Sequence, residues 1–169
     1  MKIAICGAGT VGRGVTQILQ DNQALITART GKAIEITVVA SRSVPTDEIF
    51  KDIAYTADIG SVCARQDVDV VVELMGGTTD AKVLIETALS AGKSVVTANK
   101  ALIAEHGDAL FALATKHEVA LLYEAAVAGS IPIIKVIKES LAGNQVAWLA
   151  GIINGTANFI LTEMAASGP

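Results

Sequence analysis

The sequence predicts an α/β fold built on a doubly wound parallel sheet, and three observations favour it. Short apolar runs alternate with helical patterns along most of the 169 residues, as in a chain of βαβ units. The runs are rich in Val, Ile and Ala, which is typical of parallel strands buried on both faces. The first run, residues 2–6, opens directly onto glycines spaced G-x-G-x-x-G at residues 7–12. A helical pattern begins at Thr10, so the chain starts with a strand, a glycine turn and a helix.

The glycine turn is the strongest functional signal in the sequence. Gly7 allows a tight turn, Gly9 lets the backbone approach a ligand, and Gly12 lets the helix pack closely on the strand. Free N–H groups and the helix dipole favour an anion at the N-terminus that follows. The combination predicts a Rossmann-type site for the pyrophosphate of a dinucleotide, with a purely structural glycine turn as the alternative. The predicted cofactor-binding residues of this turn are Gly7, Ala8, Gly9, Thr10, Val11 and Gly12.

The remaining elements follow in alternation and divide the chain in two. The predicted strands of the first part cover 2–6, 34–40, 68–74, 94–97 and 119–123. The predicted helices between them cover 10–24, 79–91 and 104–117, with a further helix start at residues 45–48. The last part is predicted as helix 132–141, strand 145–153 and helix 156–166. We therefore expect a nucleotide-binding domain over residues 1–130 and the beginning of a second, α+β domain over residues 131–169.

The composition argues against several classes of protein. A net charge of −4 with no basic cluster argues against a nucleic-acid partner. No apolar run reaches the roughly 18 residues of a membrane span, and residues 1–6 lack the pattern of a signal peptide. Cys6 and Cys63 fit no metal or redox spacing, so we expect reduced thiols in a cytoplasmic protein. The mean hydropathy of +0.51 is high, which predicts a surface covered by a partner or by more of the same protein.

The residues after the second strand bear on the choice of cofactor. An acidic residue there hydrogen-bonds the ribose 2′-hydroxyl of NAD, whereas an arginine accommodates the 2′-phosphate of NADP. The sequence reads Ser41-Arg42-Ser43, with no acidic residue. Arg42 offers a fixed charge and a planar set of donors to a phosphate, so NADP is the predicted cofactor and NAD the alternative. A solvated loop arginine is the other interpretation of Arg42.

Four longer segments resemble the homoserine dehydrogenase family. They are ELMGGT at 73–78, AGKSVVTANKA at 91–101, YEAAVAGSIP at 123–132 and GIINGTANFILTEM at 151–164. The resemblance implies a reversible, NAD(P)-linked interconversion of the small molecules L-homoserine and L-aspartate 4-semialdehyde. That reaction belongs to the biosynthetic route to threonine, methionine and isoleucine. The resemblance also implies a longer protein, whose acidic substrate-binding residues and catalytic lysine lie downstream of position 169.

Several residues at the predicted carboxyl edge of the sheet gain a role from this resemblance. Lys100 matches the family's active-site lysine of this domain, close to nicotinamide and substrate, where it would hold the substrate or support proton transfer. The alternative is a solvated lysine that begins a helix. Gly76, Gly77 and Thr78 leave the third strand at the same edge, where small residues let the backbone approach the ribose or nicotinamide. The alternative there is a glycine turn capped by Thr78 or Thr79.

Two further sites are implied by the resemblance. The expected ligands of the family's sodium ion are Glu124 and the carbonyls of Val127, Gly129 and Ile131. A carboxylate with several carbonyls suits a hard cation, and the alternative is a loop in which Glu124 caps the helix that begins at Pro132. Gly155 and Thr156 would bind the polar end of the amino-acid substrate.

The resemblance also predicts how the protein assembles. The family's second domain builds a dimer, so residues 145–153, with Trp148, are expected in a core or interface of a homodimer or higher oligomer. The 169-residue chain by itself is expected to bind cofactor and to catalyse little. Two other functions stay open, namely another oxidoreductase of related architecture and a module in which NAD(P) binding regulates a partner. The segment Ala98–Ala101 counts against the first, and the second would need neither Lys100 nor the Gly-Thr-Ala-Asn turn that begins at Gly155.

Overall fold

The structure, a computed structural model, describes residues 1–152 and 155–167. The strands are β1 (Lys2–Cys6), β2 (Glu35–Ala40), β3 (Ala54–Thr56), β4 (Val70–Glu73), β5 (Ser94–Thr97) and β6 (Leu121–Leu122). The helices are α1 (Thr10–Asp21), α2 (Gln23–Thr30), α3 (Ser61–Ala64), α4 (Asp80–Ser90), α5 (Lys100–Lys116), α6 (Ile133–Lys135) and α7 (Gly155–Ser167). Short 3-10 turns cover Glu48–Phe50 and Glu124–Ala126, and a π-helical turn covers Val136–Ser140. In the described ranges no helix combines the length and apolar character that crossing a membrane requires.

The strands form one parallel sheet in the order β3-β2-β1-β4-β5-β6. β1 lies in the middle, and its last residue, Cys6, pairs with Ala40 of β2 on one side and with Glu73 of β4 on the other. The chain winds outward from β1 in one direction and then, from β4, in the other. The gap between β1 and β4 is therefore the topological switch point of the sheet, and the predicted doubly wound fold is confirmed.

Alternate residues of the central strands pack on opposite faces of the sheet. One face carries Ala4, Cys6 and Val71, which pack with the buried side chains of α4 and α5. The other face carries Ile3, Ile5 and Val72, which pack against partly buried residues of α1. Full burial of one such side chain, for example Ile5, stabilises the fold by roughly 1.5–3 kcal/mol. This two-sided burial explains why the strands appear in the sequence as nearly continuous apolar runs.

The structure moves several predicted boundaries. Strand β3 was missed within residues 44–68, because its three residues carry too short a pattern and are placed by pairing with β2. Helix α5 begins at Lys100 instead of 104, because the Asn99 side chain caps it by accepting the Leu102 N–H at 3.1 Å. The predicted helix start at 45–48 is a 3-10 turn whose N-cap is Asp47. The single helix predicted over 10–24 is two helices, α1 and α2, which continue to Thr30.

The predicted strand at 145–153 is wrong over the residues that the structure describes. Residues 145–152 carry no regular secondary structure and are exposed, and residue 153 lies outside the described part. A strand needs a hydrogen-bonded neighbour, and the parallel sheet ends at β6, far earlier in the chain. Trp148 is 79% exposed, so it does not contribute to the core of the sheet. An apolar sequence alone therefore did not make a strand here.

Candidate functional site

A cleft opens where the polypeptide leaves the carboxyl ends of β1, β2 and β4. Its volume is about 790 Å³, and it lies at the switch point, where doubly wound sheets bind ligands. The turn after β1, the loop after β2 and the turn after β4 form its walls. The lining residues are Gly7, Ala8, Gly9, 41–47, Phe50, Ile59 and 74–80. The cleft therefore brings together three segments that the sequence analysis singled out separately, including Arg42, Gly76, Gly77 and Thr78.

Two glycines of the turn after β1 are required by the geometry. Gly7 has a φ of +115°, and a Cβ built on it would lie 2.6 Å from the Leu74 carbonyl oxygen. A Cβ built on Gly12 would lie 1.9 Å from the carbonyl oxygen of Gly7. A side chain at Gly7 would therefore push β1 and β4 apart, and one at Gly12 would push α1 away from the turn. These contacts confirm the tight turn and the close helix packing that the spacing predicts.

The room at Gly9 fits a phosphate group. A Cβ built on Gly9 would meet no atom within 4 Å, so its backbone faces open space in the cleft. Helix α1 begins at the next residue, and the first N–H groups of a helix have no acceptor within it. The first turn of α1, which includes the exposed residues Thr10 and Val11, carries no acidic side chain that would repel an anion. The turn and the helix start together are suited to the pyrophosphate of a dinucleotide.

The loop after β2 places one arginine and one ion pair along the cleft. Arg42 lines the cleft and is exposed. The loop is held by hydrogen bonds from the Ser41 hydroxyl to the Ser43 carbonyl at 2.7 Å and from the Tyr55 hydroxyl to the Ser41 carbonyl at 3.0 Å. Asp47 also lines the cleft, but its carboxylate pairs with the Arg13 guanidinium at 2.5 Å. Asp47, the acidic residue of the cleft-lining stretch 41–47, is thus already paired with a cation. In the described ranges no carboxylate lies within 4.0 Å of the Arg42 guanidinium.

A buried carboxylate lies beneath the turn that follows β4. Glu73 is 0% exposed. Its Oε1 accepts the N–H of Met75 at 2.8 Å and that of Gly76 at 3.3 Å, and its Oε2 accepts the Thr97 hydroxyl at 2.6 Å. The Thr97 oxygen also accepts the Asn99 N–H at 3.0 Å, which leaves its hydrogen for Glu73. Because all the partners of Glu73 are donors, the arrangement suits the ionised carboxylate.

The side chain of Asn99 joins this turn to α5. Its Nδ2 donates to the Gly77 carbonyl at 2.6 Å, while its Oδ1 caps the helix. Gly76 and Gly77 both have a φ of +73°, a conformation that glycine adopts without strain. The predicted alternative, a turn capped by Thr78 or Thr79, is not what the structure shows, because the N-cap residue Thr79 makes no side-chain capping bond. Asn99 instead holds the glycine turn beside the first residue of α5.

That first residue of α5 is Lys100. It is exposed at the carboxyl edge of the sheet and lies beside the cleft lining instead of within it. The dipole at a helix N-terminus is positive, so a lysine there is unfavourable for the helix. Helix stability therefore does not explain a lysine at this position. The side chain is available to a ligand that extends from the cleft past Asn99.

Two thiols lie buried near the same edge. Burial, with smaller contributions from the neighbouring Cys63 and Glu73, raises the pKa of the Cys6 thiol to about 12. Burial also raises the pKa of Cys63, although the positive charge of Lys93 opposes the shift. Both cysteines are free, as expected from the sequence. As neutral, enclosed thiols they contribute packing and offer no nucleophile at neutral pH.

The carboxylate of Glu124 has two backbone partners. Its oxygens accept the N–H of Ile134 at 3.0 Å and that of Lys135 at 2.8 Å. The carboxylate therefore caps α6, which is the alternative that the sequence left open. Within the same loop Ala128 and Gly129 have φ values of +55° and +57°, and a non-glycine residue in this region is strained.

The predicted substrate residues are only partly described. Gly155 and Thr156 begin helix α7, and their side-chain surroundings lie outside the part of the chain that the structure describes. The residues that sequence reasoning missed are Glu73, Thr97 and Asn99. Their signal was a polar residue at the carboxyl end of each of two adjacent apolar strands, followed by a capping asparagine.

Comparisons with known proteins place the chain in a family. The model of the homoserine dehydrogenase NAD-binding domain matches residues 7–124, and the homoserine dehydrogenase model matches residues 132–169. The chain belongs to the homoserine dehydrogenase family. Its sequence is 49% identical to the homoserine dehydrogenase of Pseudomonas aeruginosa over 168 residues, which cover 99% of this chain and 39% of that protein. The resemblance predicted from four sequence segments is thus confirmed.

Solved structures of homoserine dehydrogenases share the fold. The enzyme from Thiobacillus denitrificans is 43% identical and superposes with a TM-score of 0.88 over 100% of this chain and 39% of that one. A hyperthermophilic archaeal homoserine dehydrogenase in complex with NADPH is 25% identical, with a TM-score of 0.79 over 98% of this chain and 56% of that one. The chain therefore contains the NAD-binding domain of a homoserine dehydrogenase and spans 39% of the length of the bacterial relatives named here.

Proposed function

We propose that this chain is the cofactor-binding part of a homoserine dehydrogenase, which interconverts L-homoserine and L-aspartate 4-semialdehyde by reversible hydride transfer. The observation that carries the proposal is the cleft at the switch point, lined by the glycine turn after β1, in a chain of this family. The reaction would serve threonine, methionine and isoleucine biosynthesis in the cytoplasm. Residues 1–130 would form the nucleotide-binding domain and residues 131–169 the beginning of the substrate and dimerisation domain.

The proposed cofactor is NADP. Arg42 lines the cleft at the end of β2, where the adenosine ribose is read in doubly wound folds. Asp47, the carboxylate of the cleft-lining stretch 41–47, is paired with Arg13, which reduces its repulsion of a 2′-phosphate. The archaeal family member solved with NADPH is consistent with this choice.

Different residues of the chain would have different roles in the reaction. A bound nicotinamide dinucleotide would supply the hydride acceptor or donor. The helix start at Thr10 to Gly12 would hold its pyrophosphate, and the turn of Gly76, Gly77 and Thr78 would allow close approach of the other half. Lys100 would lie next to the substrate, where an ammonium group holds a polar substrate or moves a proton. Gly155 and Thr156 would bind the amino-acid end of the substrate.

A sodium ion and a homodimer complete the proposal. The ion would lie in the loop of Glu124, Val127, Gly129 and Ile131. The strained backbone of Ala128 in this loop supports a binding role, because such strain is concentrated at functional sites. Because the Glu124 carboxylate caps α6, the carbonyls of the loop would be its main ligands. The dimer would form through the second domain, whose exposed apolar residues include Leu149 and Ile152.

The choice of cofactor is tested by titrating NADPH and NADH into the wild-type chain and into Arg42→Ala. Loss of a charge-assisted bond to a phosphate corresponds to roughly tenfold weaker NADPH binding, with NADH affinity unchanged. Arg29→Ala, an exposed arginine in the last turn of α2 and away from the cleft lining, is the matched control. Equal losses for both cofactors in Arg42→Ala would contradict the assignment to NADP.

The activity is tested in a chimera in which residues 1–169 replace the matching part of the Pseudomonas aeruginosa relative. We expect NADP-dependent oxidation of L-homoserine by the chimera and little turnover by the 169-residue chain alone. In the chimera, Lys100→Ala should lower kcat/KM by at least tenfold, whereas Lys116→Ala, at the other end of α5, should leave it unchanged. A chimera that folds and binds NADPH but shows no turnover would refute the proposed reaction.

A further inference from the structure

We propose that Glu73 acts as a fixed negative charge beneath the nicotinamide half of the cleft and favours the oxidised cofactor over the reduced one. The inference rests on the proposed function, because it requires a nicotinamide dinucleotide in the cleft. It assigns to Glu73, which belongs neither to the glycine turn after β1 nor to the loop after β2, a role in the preference for one redox form of the cofactor. Its effect is on the balance between the two redox forms of the cofactor.

The fold determines which half of a dinucleotide lies near Glu73. The loop after β2 reads the adenosine ribose, and the pyrophosphate lies at the start of α1. The other half then crosses the switch point towards β4 and β5. The turn after β4 lines this end of the cleft, and a Cβ built on Gly76 or Gly77 would meet no atom within 4 Å. This turn rests directly on the Glu73 carboxylate through the Gly76 N–H.

The charge of Glu73 is enclosed and has no cation beside it. Its three hydrogen bonds come from two backbone N–H groups and one hydroxyl. In the described ranges no lysine or arginine nitrogen lies within 4.0 Å of its carboxylate. At 0% exposure the carboxylate is also shielded from solvent and from mobile ions. Neither a neighbouring cation nor mobile ions in contact with the carboxylate therefore cancel this charge.

The two redox forms of the cofactor differ in the charge of the ring. The oxidised nicotinamide carries one positive charge and the reduced ring carries none, while the phosphates and the adenosine are the same. In general, two opposite unit charges about 7–10 Å apart, at an effective dielectric constant of about 40, attract each other by an amount that corresponds to about four- to sevenfold in binding. We use this range as the expected effect of one negative charge beneath the ring. The ratio of the two dissociation constants isolates this effect, because any loosening of the turn weakens both forms alike.

The substitution Glu73→Gln removes the charge and keeps the shape. The amide oxygen would accept the N–H groups of Met75 and Gly76, and the amide nitrogen would donate to the Thr97 oxygen once that hydroxyl rotates. Dissociation constants for NADP⁺ and NADPH are measured by calorimetry on the 169-residue chain. We expect the variant to shift the ratio about four- to sevenfold towards NADPH. Glu86→Gln, the same change on the outer part of α4, is the control and should leave the ratio unchanged.

A second measurement needs no substitution in this network. The wild-type chain is titrated with NADP⁺ and with its benzamide analogue, in which a neutral ring replaces the charged one. Several-fold tighter binding of NADP⁺ supports the proposal, and equal or weaker binding overturns it. An unchanged ratio in Glu73→Gln, with both cofactors bound, also overturns it while the proposed function stands. If the folded wild-type chain binds neither form, the proposed function fails and this inference fails with it.

Discussion

The substitution Gly12→Ala tests whether the glycine turn is closed by direct backbone contact. A Cβ at this position would lie 1.9 Å from the Gly7 carbonyl oxygen. Carbon and oxygen atoms in proteins rarely approach closer than about 3.3 Å, so α1 would have to move by about 1.4 Å. Overpacking costs typically 1–3 kcal/mol when side chains yield, and here the obstacle is backbone. We expect a loss of at least about 3 kcal/mol in the free energy of unfolding, together with loss of NADPH binding.

The neighbouring Gly14 supplies the control on the same helix. A Cβ built on Gly14 would meet no atom within 4 Å, so Gly14→Ala should gain up to about 1 kcal/mol from helix propensity alone. Urea unfolding followed by circular dichroism measures both variants. If Gly12→Ala were as stable as Gly14→Ala, the close packing of α1 on the turn would be refuted.

Three further predictions concern the edge of the sheet and the second part of the chain. The Cys6 thiol has a pKa of about 12 in the folded chain and about 9 in the unfolded chain, so its contribution to stability is full below pH 9 and is lost as the pH rises towards 12. Above pH 9 the free energy of unfolding of the wild type should therefore fall by up to about 1.4 kcal/mol per pH unit more than that of Cys6→Ala. Equal slopes in urea unfolding would contradict this. Asn99→Ala removes the cap of α5 and the bond to the Gly77 carbonyl, so we expect a loss of about 1–3 kcal/mol in the same assay; an unchanged midpoint would refute the role of this side chain. Because Trp148 is 79% exposed beside other apolar residues, the chain should associate with rising concentration in sedimentation experiments, and Trp148→Ser should associate less; a strictly monomeric chain at high concentration would contradict the exposed interface.

The parts of the fold that the sequence predicts are those with two-sided burial. β1 and β4 are nearly continuous apolar runs because both faces of the central sheet are covered. β3 has three residues, which carry too little pattern to identify, so its pairing with β2 decides it. The strand predicted over 119–123 is present, but only as the two residues of β6. The run at 145–152 shows the reverse case, in which an apolar pattern has no strand beside it and stays irregular.

The candidate site was predictable where one local segment determines it. The roles of Gly7 and Gly12 follow from spacing alone, and their contacts agree with it. The network of Glu73, Thr97 and Asn99 depends on the register between β4 and β5, which places Glu73 opposite Thr97. Sequence spacing contains no information on that register. The capping role of Glu124 was one of two alternatives that the sequence left open, and the return of the chain ten residues later supports it.

The most direct test of the account is the titration of NADPH into the wild-type chain and into Gly9→Ala. The Gly9 backbone faces open space in the cleft, and an added Cβ meets no protein atom within 4 Å. The account predicts saturable one-to-one binding by the wild type. It also predicts at least about tenfold weaker binding by Gly9→Ala with unchanged unfolding, because the methyl group occupies space needed by the phosphates. A folded wild-type chain that binds no NADPH, or a Gly9→Ala variant that binds it equally well, would contradict the assignment of the cleft.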